Sequence, residues 1–128
     1  FNHDQFSNLK KITKSIEIVY GLRNFIGNAN KFSKEAIYIN LKSDSEITEI
    51  IIEDDGNGYP KDVLSKIGEP YLRSKDLTEK SKAGLGLGLF IGKTLLEKNF
   101  ASINCRNSKT RRGAEVIIKW SNKDLFNI

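Results

Sequence analysis

The sequence predicts an α+β fold, a two-layer sandwich in which helices pack on one face of a mixed β-sheet. Three observations predict it: an amphipathic helical pattern precedes two β-rich stretches, a helix that opens on glycines follows them, and a second pair of β-rich stretches ends the chain. With 128 residues, of which 38% are hydrophobic, the chain has the size and the apolar content of one domain with its own core.

Residues 1–14 and 121–128 flank the predicted domain of residues 15–120. The first segment shows no sustained hydrophobic period, so we interpret it as a connector from an upstream region, with a short strand near residues 9–12. The last segment is interpreted as a C-terminal tail. No apolar run reaches the ~20 residues that a membrane span needs.

The first predicted helix begins at Ser15, a suitable N-cap residue. From there to Phe32, apolar residues recur at a spacing of three and four, which is typical of an amphipathic helix. Asn24, Asn28 and Lys31 lie on the side away from that apolar stripe. Because asparagine is a poor helix former, two of them on one face favour a functional role, although surface exposure or packing is the ordinary one.

Two β-rich stretches, residues 36–41 and 47–53, predict an antiparallel hairpin joined by a polar turn. The second stretch ends in DDGNGYP, where Gly56 and Gly58 let the backbone leave the sheet and approach a ligand closely. Asp54 at the strand end could accept a hydrogen bond from an exocyclic amine, whereas an isolated Asp-x-Gly more often forms only a turn. These residues alone leave both interpretations open.

A polar loop over residues 69–82 precedes a second glycine series. The series GLGLGL, residues 84–89, runs directly into an apolar helical pattern at 90–99, so the glycines open a helix. Free N–H groups and the positive end of the helix dipole at such a point suit a phosphate chain. A charged loop stands before the glycines instead of a strand, which disfavours a doubly wound dinucleotide motif. A second hairpin follows at 101–106 and 114–120.

Charge, cysteine and histidine content argue against several classes of function. The formal net charge is +5, but the basic residues are scattered, which favours a solvated surface and leaves nucleic-acid binding a weaker alternative. A single cysteine, Cys105, excludes a disulfide framework and a cysteine-cluster zinc site, and we interpret it as a small buried hydrophobic residue. A single histidine, His3, argues against histidine-based metal or triad chemistry.

Four motifs follow one another along the chain: LRNFIGNANKF (22–32), DDGNGYP (54–60), IGEPYLRSK (67–75) and GLGLGL (84–89). Together they resemble the ATP-binding catalytic domain of two-component sensor histidine kinases, within the GHKL group of ATPases. The resemblance covers about residues 16–120, and the segments GEPYLRSK and GLGLFIGKTLLEKNFA are most similar to the RegB/PrrB/ActS branch of redox sensor kinases. It implies the GHKL (Bergerat) sandwich as the fold.

The resemblance implies that the first motif supplies the catalytic and metal-binding residues. Asn28 would hold Mg²⁺, for which an amide oxygen is a suitable ligand. Asn24 and Lys31 would be catalytic, with Asn24 beside the metal ligand and Lys31 in contact with the phosphates of ATP. ATP hydrolases of this group carry a glutamate at the position of Asn24, so the asparagine implies phosphoryl transfer instead of hydrolysis.

The glycine motifs would bind the nucleotide itself. Asp54 would accept a hydrogen bond from the adenine amino group, with Gly56 and Gly58 letting the base approach. The loop before the second glycine motif would be a mobile lid, in which Arg73 or Lys75 contacts phosphate. The phosphate cradle and the hinge of the lid would consist of Gly84, Leu85, Gly86, Leu87 and Gly88.

The resemblance also implies partners. The nucleophile would be a histidine nitrogen, and His3 lacks the neighbouring residues of a phosphoacceptor motif. The acceptor is therefore expected on a dimerisation helix domain of the same full-length kinase, upstream of residue 1. A downstream response regulator is the second expected partner, nucleic acid is not expected as one, and the isolated domain is expected to be a monomer. We expect a cytoplasmic location, which includes the cytosolic part of a membrane-anchored sensor kinase.

One alternative from another class stays open. A nucleotide-dependent protein-interaction module, either a degenerate kinase or an anti-sigma-like domain, would keep Asn28, Asp54 and the glycines without transferring a phosphoryl group. A kinase would phosphorylate the histidine of its dimerisation domain in trans, and an interaction module would not.

Overall fold

A computed structural model shows the architecture of the chain and describes residues 3–61, 63–64 and 86–126. Its elements are α1 (His3–Phe32), β1 (Ile37–Ser43), β2 (Ile47–Asp54), α2 (Gly86–Lys98), β3 (Ser102–Asn107), β4 (Ala114–Ser121) and α3 (Asn122–Phe126). Helices α1 and α2 pack together on one face of a four-stranded sheet, which confirms the predicted α+β two-layer sandwich. Within the described ranges, no helix combines the length and the hydrophobicity that a bilayer crossing requires.

The described sheet is antiparallel throughout, in the order β1-β2-β4-β3, whereas the sequence predicted a mixed sheet. The hairpins β1–β2 and β3–β4 meet through their second strands, β2 and β4. The crossover through α2 makes β2 and β3 run in the same direction, but β4 lies between them. Every hydrogen-bonded pair of strands is therefore antiparallel.

Helix α1 begins well before the predicted N-cap at Ser15, and residues 9–12 are helical and not a strand. The segment from His3 to Lys14 contains neither glycine nor proline, and its leucine, lysine and glutamine residues are good helix formers. Nothing in the segment stops the helix from extending towards the N-terminus. The domain boundary at Ser15 stays a prediction.

The chain end predicted as a tail contains the last residue of β4 and the short helix α3. Asn122, at the start of α3, is 6% exposed. Its Nδ2 donates to the carbonyl of Asp44 at 2.7 Å, and its Oδ1 accepts from the hydroxyl of Thr48 at 2.6 Å. These bonds hold α3 to the β1–β2 turn, and because the partners are far apart in sequence, the local pattern does not reveal them.

The core lies between the sheet and the two long helices. The helices contribute buried side chains from Phe25, Ala29, Leu89 and Leu96, and the sheet contributes Ile52, Val116, Ile118 and Trp120. Trp120 is 2% exposed, and its indole N–H donates to the carbonyl of Asn99 at 3.1 Å. The polar atom of this large core residue is thus satisfied by the end of α2.

Helices α1 and α2 cross at two glycines. A Cβ on Gly21 would lie 2.8 Å from Leu96 Cγ, and a Cβ on Gly92 would lie 2.8 Å from Phe25 Cε2 and 3.2 Å from the carbonyl oxygen of Gly21. Only residues without a side chain allow the helices to approach this closely. The glycine pair therefore sets the distance between the two helices that carry the first and the last of the four motifs.

We expect Gly92→Ala to lower the free energy of unfolding by about 1 to 2 kcal/mol, because overpacking at the crossing outweighs the gain in helix propensity. The matched control is Gly27→Ala in α1, where a Cβ would meet no atom within 4 Å. This control should raise the free energy of unfolding by about 0.5 to 1 kcal/mol through helix propensity alone. Urea unfolding followed by Trp120 fluorescence measures both variants, and equal stabilisation by the two would contradict the close crossing.

Candidate functional site

A pocket of about 210 Å³ opens at the end of the sheet where the inner strand β2 ends and the inner strand β4 begins. Helix α1, the two strand ends and the loop after β2 line it, through Asn28, Phe32, Asp54, Ala114, Asn57, Gly58, Tyr59 and Pro60. Phenylalanine, tyrosine, proline and alanine supply apolar walls, and one carboxylate and two amides supply polar groups. An apolar cleft with a few convergent polar groups is typical of a small-molecule site.

Asp54 is a buried carboxylate residue at the floor of this pocket, and 3% of its surface is exposed. Its Oδ1 accepts hydrogen bonds from the N–H of Gly56 at 2.8 Å and from the N–H of Ala114 at 3.3 Å. A buried charge needs such donors to offset the loss of hydration. Backbone groups of the glycine loop and of β4 therefore fix the orientation of the carboxylate.

Gly113, which is not among the site residues predicted from the sequence, packs directly against Asp54. A Cβ on Gly113 would lie 2.0 Å from the carbonyl oxygen of Asp54 and 2.3 Å from its Oδ1. The N–H of Ser108 donates to the carbonyl of Gly113 at 2.7 Å, which closes the β3–β4 turn. The sequence signal for this role is the triplet Arg112-Gly113-Ala114, which stands where the resembling kinases carry a last glycine motif.

Asp55, the next residue, fastens the loop to the segment between α1 and β1. Its Oδ1 accepts from the N–H groups of Lys34 at 2.8 Å and Ala36 at 3.3 Å, and its Oδ2 accepts from the N–H of Glu35 at 3.1 Å. Burial acts to raise the pKa of Asp55, but the hydrogen bonds from these N–H groups outweigh it and hold that pKa below its ordinary value. The ionised side chain thus links the helix that carries Asn28 to the glycine loop.

The loop after β2 requires both of the glycines that the sequence analysis selected. Gly58 has a φ of 79°, a backbone conformation that favours glycine. A Cβ on Gly56 would lie 2.1 Å from the carbonyl oxygen of Phe32. The loop can therefore contact the end of α1 only because this position lacks a side chain.

Asn24 and Asn28 of α1 lie beside the second glycine motif. Asn28 lines the pocket. Asn24 lies one turn earlier, and its Nδ2 donates to the carbonyl of Tyr20 at 2.8 Å. The Oδ1 atoms of Asn24 and Asn28 lie 3.9 Å and 4.0 Å from the position of a Cβ on Gly88. The structure therefore brings the first and the last motif together.

The remaining predicted site residues lie outside the lining of this pocket or outside the described ranges. Lys31 is exposed and does not line the pocket, and its Nζ lies 5.5 Å from the centroid of the Phe32 ring. Gly86 and Leu87 form the first turn of α2. Four predicted residues lie outside the described ranges: Arg73, Lys75, Gly84 and Leu85. Their roles stay predictions.

The pocket fits Mg²⁺ only as a partly hydrated ion. In the ranges that the structure describes, no three His, Cys, Asp or Glu side chains come together as a metal cluster. The amide oxygen of Asn28 is one hard oxygen ligand at the pocket wall. Mg²⁺ commonly keeps several waters and takes phosphate oxygens besides one or two protein ligands, so this donor set suits a metal bound together with a phosphate compound.

Cys105 lies in β3 in contact with Tyr59, one of the pocket residues. Burial raises the pKa of the Cys105 thiol to about 12, although the hydrogen bond with Tyr59 acts in the opposite direction. Burial also raises the pKa of Tyr59 above its ordinary value. Since thiolates and not thiols are the nucleophiles, a raised pKa disfavours a reactive role for Cys105.

A larger groove of about 430 Å³ lies between α1 and α2, with Tyr20, Phe90 and Leu95 in its lining. Its one carboxylate residue, Glu17, forms an ion pair with Lys98 at 2.6 Å. The rest of the groove lining is mostly apolar, so of these two pockets the smaller one has more groups that could recognise a polar ligand.

Comparison with known proteins assigns the chain to a family. The model of the family described as histidine kinase-, DNA gyrase B-, and HSP90-like ATPase matches residues 13–124. The chain belongs to this family. The sensor histidine kinase RegB of Cereibacter sphaeroides is 37% identical over 102 residues, which are 76% of this ATPase-family chain and 22% of RegB. The predicted resemblance to sensor histidine kinases, and to the RegB branch, is confirmed.

Solved structures confirm the fold of this ATPase domain. The mycobacterial sensor histidine kinase MprB matches 80% of the chain and 68% of its own, with a TM-score of 0.56 and 23% identity. Full-length ShkA, solved in complex with AMPPNP, matches 81% of the chain and 21% of its own, with a TM-score of 0.60 and 23% identity. The chain thus spans about a fifth of RegB and of ShkA.

Proposed function

We propose that this domain binds Mg-ATP and donates the γ-phosphoryl group to a histidine on a separate dimerisation helix domain in two-component signalling. The observation that carries the proposal is Asp54, a buried carboxylate at the floor of a pocket, held by two backbone N–H groups on Oδ1. Its Oδ2 would accept a hydrogen bond from the amino group of adenine. An adenine nucleotide is also the ligand in the ShkA complex with AMPPNP.

The phosphates would extend from the base towards Asn24 and Asn28 of α1 and towards the start of α2. Asn28 would supply one ligand to Mg²⁺, and the bound ion would neutralise the charge that develops on the transferred phosphoryl group. Free N–H groups at the start of α2, where Gly88 lies beside Asn24 and Asn28, suit a phosphate chain. Lys31 is proposed to contact the phosphates, together with the lid residues Arg73 and Lys75.

Transfer is favoured over hydrolysis by the groups around the pocket. Among the described lining residues, Asp54 is the one carboxylate, and the proposal assigns it to the base. Asn24 stands where a hydrolase would carry glutamate, and its amide is bonded to the carbonyl of Tyr20. Because no described carboxylate is placed to activate water, an external nucleophile is needed. The dimerisation domain would supply the histidine, and a response regulator would receive the phosphoryl group.

Phosphorylation in trans tests the proposal. The chain is incubated with Mg²⁺, radiolabelled ATP and the separately purified dimerisation domain of the full-length kinase. We expect an acid-labile label on that domain, no label on the chain alone, and no label when the acceptor histidine is replaced by glutamine. ATP binding without any transfer would contradict the kinase proposal and favour the protein-interaction module.

A further inference from the structure

We infer that Asn107 is a positioning residue for nucleotide binding, which holds the loop after β2 in the conformation that forms one wall of the pocket. Asn107 is the last residue of β3. Its Oδ1 accepts a hydrogen bond from the N–H of Tyr59 at 2.6 Å, and its Nδ2 donates to the carbonyl of Tyr59 at 3.2 Å. The side-chain amide thus pairs with both polar backbone groups of one loop residue, as a neighbouring strand would.

These two bonds control the part of the loop that lines the pocket. Asn57, Gly58, Tyr59 and Pro60 form that wall. A Cβ on Gly58 would lie 2.7 Å from Asn107 Oδ1, so the amide is in close contact with the peptide that precedes Tyr59. The Tyr59 residue itself is 5% exposed and belongs to the core. Asn107 therefore fixes the loop at the point where it passes from the pocket wall into the core.

The side chain of Asn107 bonds to the pocket wall through Tyr59, while its backbone lies opposite Ala114 in the register of β3 and β4. Asp54 is oriented by the N–H groups of Gly56 and Ala114, and neither of them bonds to Asn107. Because the Asn107 amide bonds to Tyr59 and not to these two N–H groups, its loss would free the loop wall and keep both hydrogen bonds to the Asp54 carboxylate. The inference rests on the proposed function, because it assigns the wall to an adenine nucleotide.

Calorimetric titration with ADP and Mg²⁺ tests the inference in the 128-residue chain. We expect Asn107→Ala to weaken ADP binding about tenfold, since two backbone groups of a buried residue lose their partner. Asn107→Asp keeps an acceptor for the Tyr59 N–H and loses the donor, so its affinity should fall between that of Asn107→Ala and the parent. The matched control is Asn104→Ala in the same strand, where the exposed side chain points to the other face of the sheet.

Amide hydrogen exchange separates a local effect from a general loss of stability. In Asn107→Ala the N–H of Tyr59 should exchange faster than in the parent, while the N–H of Ile118 in the central strand β4 keeps its protection. Unchanged ADP affinity, or faster exchange at Ile118 as well, would overturn the role of Asn107. Failure of the parent chain to bind ADP would overturn the proposed function and with it this inference.

Discussion

Gly113→Ala is expected to lower the free energy of unfolding by about 3 kcal/mol or more and to abolish measurable ATP binding. The new Cβ would lie 2.0 Å from the carbonyl oxygen of Asp54 and 2.3 Å from its Oδ1. The carbonyl oxygen of Asp54 is a backbone atom of β2 and cannot rotate away as a side chain can. Strands β2 and β4 must therefore move apart at the end that forms the pocket. The same movement would carry the N–H of Ala114 away from the Asp54 carboxylate.

Urea unfolding measures the stability of this variant, and calorimetry with ATP and Mg²⁺ measures its binding. Gly88→Ala is the control for stability, because a Cβ there would lie 3.9 Å or more from its nearest neighbours, an ordinary contact distance. A Gly113→Ala protein within about 1 kcal/mol of the parent would contradict the tight packing against Asp54.

Local patterns in the sequence predict the hairpins and the helix after the glycines, because alternation and helical spacing are properties of neighbouring residues. The antiparallel pairing of β2 with β4 is not such a property, since two hairpins can associate in more than one order. The contact between Gly113 and Asp54 follows from that pairing. This is why the sequence identifies Asp54 and misses the glycine that packs against it.

The site residues also divide into those that a motif predicts and those that depend on contacts between distant segments of the chain. The resemblance of the motifs predicts Asn28, Asp54 and Gly58, and the structure places all three in the lining of one pocket. Asn107 carries no motif, and its bonds to Tyr59 depend on where β3 ends relative to the loop. Helix α1 is longer than predicted for another reason. Residues 3–14 include several good helix formers, but they have no hydrophobic period from which a helix could be predicted.

Asp54→Asn is expected to weaken ATP binding about 100-fold, which corresponds to about 2.7 kcal/mol. The amide oxygen of asparagine can still accept from the N–H groups of Gly56 and Ala114, so the pocket floor keeps its shape. The amide NH₂ then takes the place of Oδ2 and presents a donor to the amino group of adenine, which is also a donor. The variant removes the recognition of the base and leaves the proposed phosphate contacts in place.

Asp44→Asn is the matched control for this substitution. The Asp44 carboxylate also accepts two backbone hydrogen bonds through Oδ1, from Glu46 and Ile47 at 2.8 Å each. These bonds hold the pKa of Asp44 below its ordinary value. Asp44 therefore resembles Asp54 in that two backbone N–H groups fix its carboxylate. It lies in the β1–β2 turn, at the opposite end of the sheet from the pocket.

Titration of ATP and Mg²⁺ into the parent chain, Asp54→Asn and Asp44→Asn tests whether the Asp54 carboxylate recognises the nucleotide. If it does, the parent and Asp44→Asn should each bind one ATP with the same affinity. Asp54→Asn should bind ATP with an affinity about 100-fold lower. Equal affinity of Asp54→Asn and the parent would contradict this role, because the buried carboxylate at the end of β2 would then take no part in binding the nucleotide.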